Sequence, residues 1–395
     1  MILDRRGFTV GAGALGVATV AAPAPAAARR ARYLLGADVS WVPEDEAAGA
    51  TYFQDGVQRD PLAILKDAGF DALKLRTFVD PANGYARGRG AAWCGTEATA
   101  AFSQRIRKAG FHLSTTLHYS DTWADPQKQA KPAAWADLPF AKLVDAVHRY
   151  TADTWTTLKA ASAAPDMAVL GNETTFGMLW PEGRVPLTIP TGNPVTDREH
   201  MQPVPGGGWD RFAALLKAAI AATRDTLPGV PIVLHHHLGR HWGIVRDWTD
   251  NLVSRGVRFD ALGFSCYQQQ AEGDWARTFT EFTRRYPDIG FLALEYSSRK
   301  RYLNDLVHAQ PNGWGSFIWE PIRHQEAIFT QAGRNAGGGP KSNLLSGGLN
   351  AAEAPGGTPV PAEPFHADPG GRFDADPAFL TLYRRMATDY RTRRL

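Results

Sequence analysis

Eight short apolar runs, at residues 34–39, 72–75, 113–117, 167–170, 232–234, 261–265, 291–294 and 315–318, alternate with longer amphipathic stretches. Runs this short and this apolar suit strands buried on both faces, as in a parallel sheet covered by helices. Eight such units over roughly 300 residues match an α/β chain closed into a (β/α)8 TIM barrel. No glycine-rich phosphate fingerprint follows the first run, which argues against a doubly wound nucleotide-binding sheet.

Between the runs, helices are predicted at 62–68 and 102–109, each ending at a glycine, Gly69 and Gly110, as helix C-termini commonly do. Longer helices at 140–160 and 209–226 carry apolar residues at three- and four-residue steps, and a last one is expected at 377–390, closing the base or side of the barrel. Residues 181–208, rich in Pro, Gly and Thr, follow the fourth strand directly and read as a long loop at the barrel mouth. The Gly/Pro/Ala-rich segment 333–369 follows the eighth.

Asp4-Arg5-Arg6-Gly7-Phe8 precedes an uncharged stretch from Thr9 to Ala28 that ends in small residues, the form of a twin-arginine export signal. Its glycines and prolines make it a weak membrane-spanning helix, so residues 1–28 are expected to be a signal and 33–395 a single catalytic barrel. The protein is therefore expected outside the cell, as a monomer with no membrane partner. Lys plus Arg number 43 against 40 Asp plus Glu, and the basic residues concentrate at the two ends, leaving a mildly acidic middle that argues against a nucleic-acid surface. Cys94 and Cys266 are far apart in sequence and are expected to be free thiols.

Barrel enzymes react substrates at the C-terminal ends of their strands, so the residues that follow each run define the candidate site. They are Asp38, Ser40 and Trp41; Arg76; His118, Tyr119, Ser120 and Asp121; Asn172 and Glu173; His235, His236 and His237; Tyr267 and Gln268; Glu295 and Tyr296; Trp319 and Glu320. Cleaving an acetal needs one carboxylic acid to protonate the leaving oxygen and one carboxylate on the other face of the anomeric carbon. Glu173 and Glu295, facing each other from strands four and seven, supply that pair, and a gap of about 5 Å would favour a covalent glycosyl-enzyme. Glu173 is expected to stay protonated, through burial and its neighbour's charge, and Tyr267 and Arg76 to keep Glu295 ionised. Asn172 suits a sugar 2-hydroxyl; Trp41, Trp123, Trp180 and Trp319 offer flat faces to sugar rings.

These residues resemble glycoside hydrolase family 53, the arabinogalactan endo-β-1,4-galactanases of clan A. The most specific stretch is His118-Tyr-Ser-Asp-Thr-Trp-Ala-Asp-Pro-Gln-Lys-Gln-Ala-Lys-Pro-Ala-Ala-Trp135. Gly36-Ala-Asp-Val-Ser-Trp41, Leu75-Arg76, Gly171-Asn-Glu173, Gly177-Met-Leu-Trp-Pro-Glu-Gly183, Leu294-Glu295-Tyr296 and Trp319-Glu-Pro321 support it. The resemblance places Asn172-Glu173 on the family's acid/base motif and Glu295 on its nucleophile. It implies a retaining endo-β-1,4-galactanase acting on galactan or arabinogalactan, with Asp38, Trp41, Arg76, His118, Asp121, Trp123, Asn172, Trp180, His237, Tyr267 and Trp319 binding substrate. Departures are Gln268-Gln269-Gln270 where the family has Pro and an aromatic after the tyrosine, Thr174 after Gly171-Asn-Glu173, and the insertion at 186–208. No cofactor or metal is expected. Bacterial members often hold a structural calcium in late barrel loops, where 333–369 offers few clustered carboxylates, and calcium stays open.

Three rival readings stand beside this one. His235-His236-His237 with His112 and His118 would build a metal-dependent hydrolase if a carboxylate joined them. A carbohydrate-binding barrel without turnover would keep the cleft. A clan relative would act on β-mannan, β-glucan or another galactan linkage.

Overall fold

Each of the eight runs becomes a strand in the computed structural model: β1 (Leu34–Asp38), β2 (Ala72–Thr77), β3 (His112–Leu117), β4 (Met167–Leu170), β5 (Ile232–His236), β6 (Ala261–Ser265), β7 (Gly290–Tyr296) and β8 (Gly313–Ile318). The structure describes residues 32–267, 275–297, 300–323, 327–331 and 370–392. The expected export segment, Gln268-Gln269-Gln270 and the segment 333–369 lie outside the described residues. The strands close in the order β1-β8-β7-β6-β5-β4-β3-β2, and every neighbouring pair is parallel. The protein is a (β/α)8 TIM barrel.

A helix follows each strand: α1 (Pro61–Asp67), α2 (Thr96–Lys108), α3 (Phe140–Ala160), α4 (Trp209–Thr226), α5 (Trp242–Ser254), α6 (Trp275–Arg285), α7 (Lys300–His308) and α8 (Pro377–Thr392). The start of α1 is written locally: Asp60 accepts from the Leu62 amide at 2.7 Å, and Pro61 needs no partner at the first position. Gly69, at φ 94°, ends it as predicted, in a conformation costly for other residues. α2 begins six residues before the predicted start because Thr96-Glu97-Ala98-Thr99-Ala100-Ala101 carries no large apolar residue to reveal the helical period. α8 packs outside the barrel, Tyr383 stacking on Phe70 and sharing a 2.8 Å hydrogen bond with Tyr296.

Two features were not foreseen. Thr51–Gln54, Val57–Gln58, Phe329–Gln331 and Arg372–Ala375 pair into a small second sheet, whose Tyr52 stacks on Phe373. The 181–208 loop contains a short helix, Pro194–His200, capped by Asn193, and His200 stacks on Phe176 with ring centroids 3.6 Å apart.

Inside the barrel, Leu34, Ala72, Met167, Val169, Val233, Ala261, Leu292, Leu294, Trp314 and Phe317 form one buried apolar cluster. Gly36 leaves room for it: a Cβ there would lie 2.3 Å from the Phe317 ring. Continuing the two-residue alternation along β1 and β2 brings Asp38, Lys74 and Arg76 to the same inner face, nearer the strand ends. Strand β7 reaches that layer differently. Its pairing slips between Ala293 and Tyr296, a bulge that lets Leu294 join the apolar cluster while the next residue, Glu295, also faces inward.

Candidate active site

Five charged side chains meet at the centre of the barrel mouth, all buried. Lys74 Nζ lies 2.8 Å from Glu295 Oε1 and 3.2 Å from Asp38 Oδ2. Arg76 Nη1 donates to Glu320 Oε1 at 2.5 Å and lies 4.0 Å from Asp38 Oδ1. Asp38 also accepts from the Ser40 hydroxyl at 2.6 Å. Burial opposes ionisation of Asp38, but Lys74, Arg76 and the two Ser40 bonds outweigh it and hold the carboxyl below its usual range. Burial likewise opposes the Lys74 cation, and the charges of Glu295 and Asp38 overcome it, holding its pKa up.

Glu295 is gripped on both oxygens, by Lys74 and by the Tyr267 hydroxyl, which donates to Oε2 at 3.1 Å. Tyr267 thus reaches Glu295 as expected, whereas Arg76 turns to Glu320 and the cation on Glu295 is Lys74. Burial, followed by the charges of Glu295 and Glu173, pushes the Tyr267 phenol well up, so it remains a donor.

Glu173 leaves β4 in the left-handed region, at φ 47° and ψ 48°, a conformation that costs a non-glycine residue about 1 kcal/mol or more. Its Oε1 lies 2.5 Å from Ser265 Oγ at the end of β6. Burial and then the charge of Glu295 push its pKa well above the ordinary carboxyl value, against the opposing charge of Lys74. The nearest ligand-capable atoms of Glu173, His235 and Glu295 lie within 4.8 Å of one another. Both His235 nitrogens are engaged, however, Nδ1 by Asn172 Oδ1 at 3.1 Å and Nε2 by Ser265 Oγ at 2.9 Å.

The histidine run does not converge. His235 faces the barrel interior, and His236 packs edge-on against Trp248 of α5. His237 bonds Thr175 Oγ1 at 2.8 Å, and His112 is exposed beside Asp166 at the foot of β3. His118 accepts from the Ala124 amide at 3.2 Å through Nδ1, and burial holds it neutral.

The aromatic residues form a wall on one side. Trp41 lies 5.9 Å from Trp123 and 5.7 Å from Trp319, and Trp319 lies 6.2 Å from Tyr267, all as ring-centroid distances. Arg76 lies 4.2 Å from the centre of the Trp123 ring and 4.8 Å from that of the Trp41 ring, in the corner between two steeply inclined rings. Asn172 donates to the Ala124 carbonyl at 2.9 Å and keeps a second amide hydrogen. Asp121 is occupied elsewhere: its oxygens accept from the backbone amides of Asp80 and Ala133, bracing two loops. Trp180 donates to the Phe176 carbonyl and packs with Ile189 and Met201 against the cluster of Phe176, Leu187, Leu238 and Ile244, in the loop after β4.

Sequence reasoning missed Lys74 and Ser265. Lys74 had a signal, standing two residues before Arg76 and so on the same strand face. Ser265 had none beyond closing an apolar run. Cys94 and Cys266 are both buried free thiols.

The family model for glycosyl hydrolase family 53 matches residues 34–297. A protein from Niallia circulans described as "uncharacterized protein in bgaB 5'region" is 39% identical over 60% of this chain and 59% of its own length. An arabinogalactan endo-beta-1,4-galactanase from Cellvibrio japonicus is 31% identical over 61% of this chain and 58% of its own. The match thus spans about three fifths of the length of these relatives. The solved GH53 catalytic domain of Ignisphaera aggregans superposes with a TM-score of 0.66 at 27% identity, covering 90% of this chain and 96% of that one. With the barrel, the strand-end glutamates and a family match running from β1 to the end of β7, this chain belongs to glycosyl hydrolase family 53.

Proposed function

We propose that this protein is a retaining endo-β-1,4-galactanase, with Glu295 as nucleophile and Glu173 as acid/base. The observation that carries the reading is the unequal treatment of two neighbouring carboxyls: one held between a cation and a phenol, the other kept protonated by burial beside it. Their closeness, with oxygens within 4.8 Å, suits direct attack and leaves little room for a water between them. The relatives named arabinogalactan endo-beta-1,4-galactanase support β-1,4-galactan as substrate.

In the first step Glu295 bonds to the anomeric carbon as the glycosidic C–O bond breaks, and the Glu173 proton passes to the departing oxygen. In the second, Glu173, now a carboxylate, takes a proton from water, whose oxygen replaces Glu295 on the anomeric carbon. The remaining Asn172 amide hydrogen suits the sugar 2-hydroxyl, and the wall of Trp41, Trp123 and Trp319 supports apolar sugar faces.

Azide separates the two roles. Glu295→Gly with azide should give the α-glycosyl azide from an activated β-galactoside, and Glu173→Ala with azide the β-glycosyl azide. Exchange of the two anomers would reverse the assignment. On polysaccharides, debranched galactan should lose viscosity and gain reducing ends; cleavage of mannan or glucan instead would remove galactan as the substrate. We also propose export through Arg5-Arg6, for which replacing both by lysine should abolish appearance of the mature protein outside the cell.

A further inference from the structure

From the contacts around Glu173 we infer that Asn172, His235 and Ser265 form a hydrogen-bond chain whose direction sets Glu173 as the proton donor. His235 and Ser265 are the positioning residues.

The direction can be read from one end. The Ala124 carbonyl can only accept, so the Asn172 atom 2.9 Å from it is the amide nitrogen, and Asn172 Oδ1 is left to face His235 Nδ1 at 3.1 Å. That oxygen also only accepts, so Nδ1 carries a hydrogen. His235 is deeply buried, and burial followed by Lys74, His118 and His236 holds it neutral. A neutral imidazole protonated on Nδ1 has a bare Nε2, which must accept from Ser265 Oγ at 2.9 Å. Ser265 has one hydrogen, and this bond uses it. Toward Glu173, 2.5 Å away, Ser265 can only accept, which needs a hydrogen on the Glu173 carboxyl.

The chain therefore favours the acid form beyond what burial achieves. When Glu173 gives its proton to the departing oxygen, Ser265 keeps its own hydrogen and turns it from His235 Nε2 to the new carboxylate. The cost is a bare, buried His235 nitrogen until Glu173 recovers a proton from water. The other charged or titratable groups around Glu173 are Glu295 on β7, Lys74 on β2 with Asp38 of β1 behind it, Asp125 after β3 and Tyr267 after β6. None of these bonds Ser265; the His235 lone pair decides which way its hydroxyl points.

This rests on Glu173 being the acid, which the azide products test by turnover. The chain is tested without turnover, by long-range ¹H–¹⁵N correlation on the full-length protein carrying ¹⁵N-histidine. Below the alkaline limb of the activity profile, His235 should show a protonated Nδ1 and a bare Nε2, its ring assigned as the one perturbed by Ser265→Ala. A hydrogen on Nε2 would overturn the chain, because Ser265 could then donate to a Glu173 carboxylate. Kinetics give an independent sign. His235→Phe removes the acceptor and frees Ser265 to donate to Glu173, so the alkaline limb of kcat/KM should move down by about one pH unit. Upward movement would mean that His235 supports the charged form, the opposite direction.

Discussion

The lower and upper halves of the barrel interior are built on the same strands yet are opposite media. Below lie Leu34, Ala72, Val169, Val233 and Leu292, apolar side chains packed on one another. One or two inward positions higher lie Asp38, Lys74, Arg76, His235 and Glu295, equally buried but tied by ion pairs and hydrogen bonds. The lower half stabilises through area removed from water. The upper half gains little net stability from its pairs, because desolvation offsets most of the attraction. What it gains is charge fixed in place at the barrel mouth.

The sharpest way to separate the halves is to remove the nucleophile. Glu295→Ala should lower kcat on galactan by several orders of magnitude, about 10⁴-fold or more, while the fold persists by circular dichroism. Near-normal activity would remove Glu295 from the mechanism.

Lys74→Met should damage both properties. It leaves Asp38 and Glu295 buried without their shared cation, a loss of about 3–5 kcal/mol in denaturant unfolding, together with a large fall in kcat. Adding Asp38→Asn should recover part of the stability and none of the activity. If stability is unchanged in the single variant, the ion pairs do not have the weight assigned to them here. In the lower half, Leu292→Ala should cost about 2–5 kcal/mol through a cavity, with kcat on the remaining folded protein unchanged below the melting temperature. A large kcat loss there would mean that the two halves are mechanically coupled.

This contrast was only partly visible in the sequence. The eight strands and the rim residues could be read because buried parallel strands are short, apolar and regularly punctuated. Glu295 was found by its position after an apolar run, but its inward direction depends on the bulge after Ala293, which no local pattern announces. Lys74 was concealed by Leu73 and Leu75, whose side chains point to the other face. The small sheet joins residue 51 to residue 375 through strands of two to four residues, too short for periodicity to reveal. The direction of the Asn172–His235–Ser265 chain depends on which atoms meet, information that exists only in three dimensions.

Glu173→Gln probes the stability given up for function. The unfolded carboxyl titrates near its ordinary value, while the folded one holds its proton well above it. Above the unfolded pKa the folded state binds the extra proton, so wild-type stability falls as pH rises toward the folded pKa, by about 1.4 kcal/mol per pH unit. The substituted amide does not titrate and can still donate to Ser265. The variant should match wild type near pH 4 and become progressively more stable at higher pH in thermal melts. A constant difference across pH would show that Glu173 is not held protonated.

The smallest expected effect tests burial away from the chemistry, at His236. It leaves the barrel wall outward, packs edge-on against Trp248 at 5.3 Å and accepts from the Leu238 amide at 3.2 Å, while its Nε2 is buried with no partner. Burial, with a smaller push from His241, lowers its pKa to about 3. The unfolded ring takes up a proton as pH falls through its ordinary value, about 6.5, and the folded ring does not. Its contribution is therefore complete above that pH and is lost on going down to about 3, at about 1.4 kcal/mol per pH unit. His236→Asn keeps an acceptor for Leu238 but forfeits the ring contact, costing on the order of 1 kcal/mol at pH 7.5. Because Asn does not titrate, the deficit should close as pH falls and change sign below about pH 6. Stability curves that stay parallel from pH 7.5 to 5 would mean that His236 is free to protonate in the folded state, and that burial on this outer face of the barrel is weaker than in its interior.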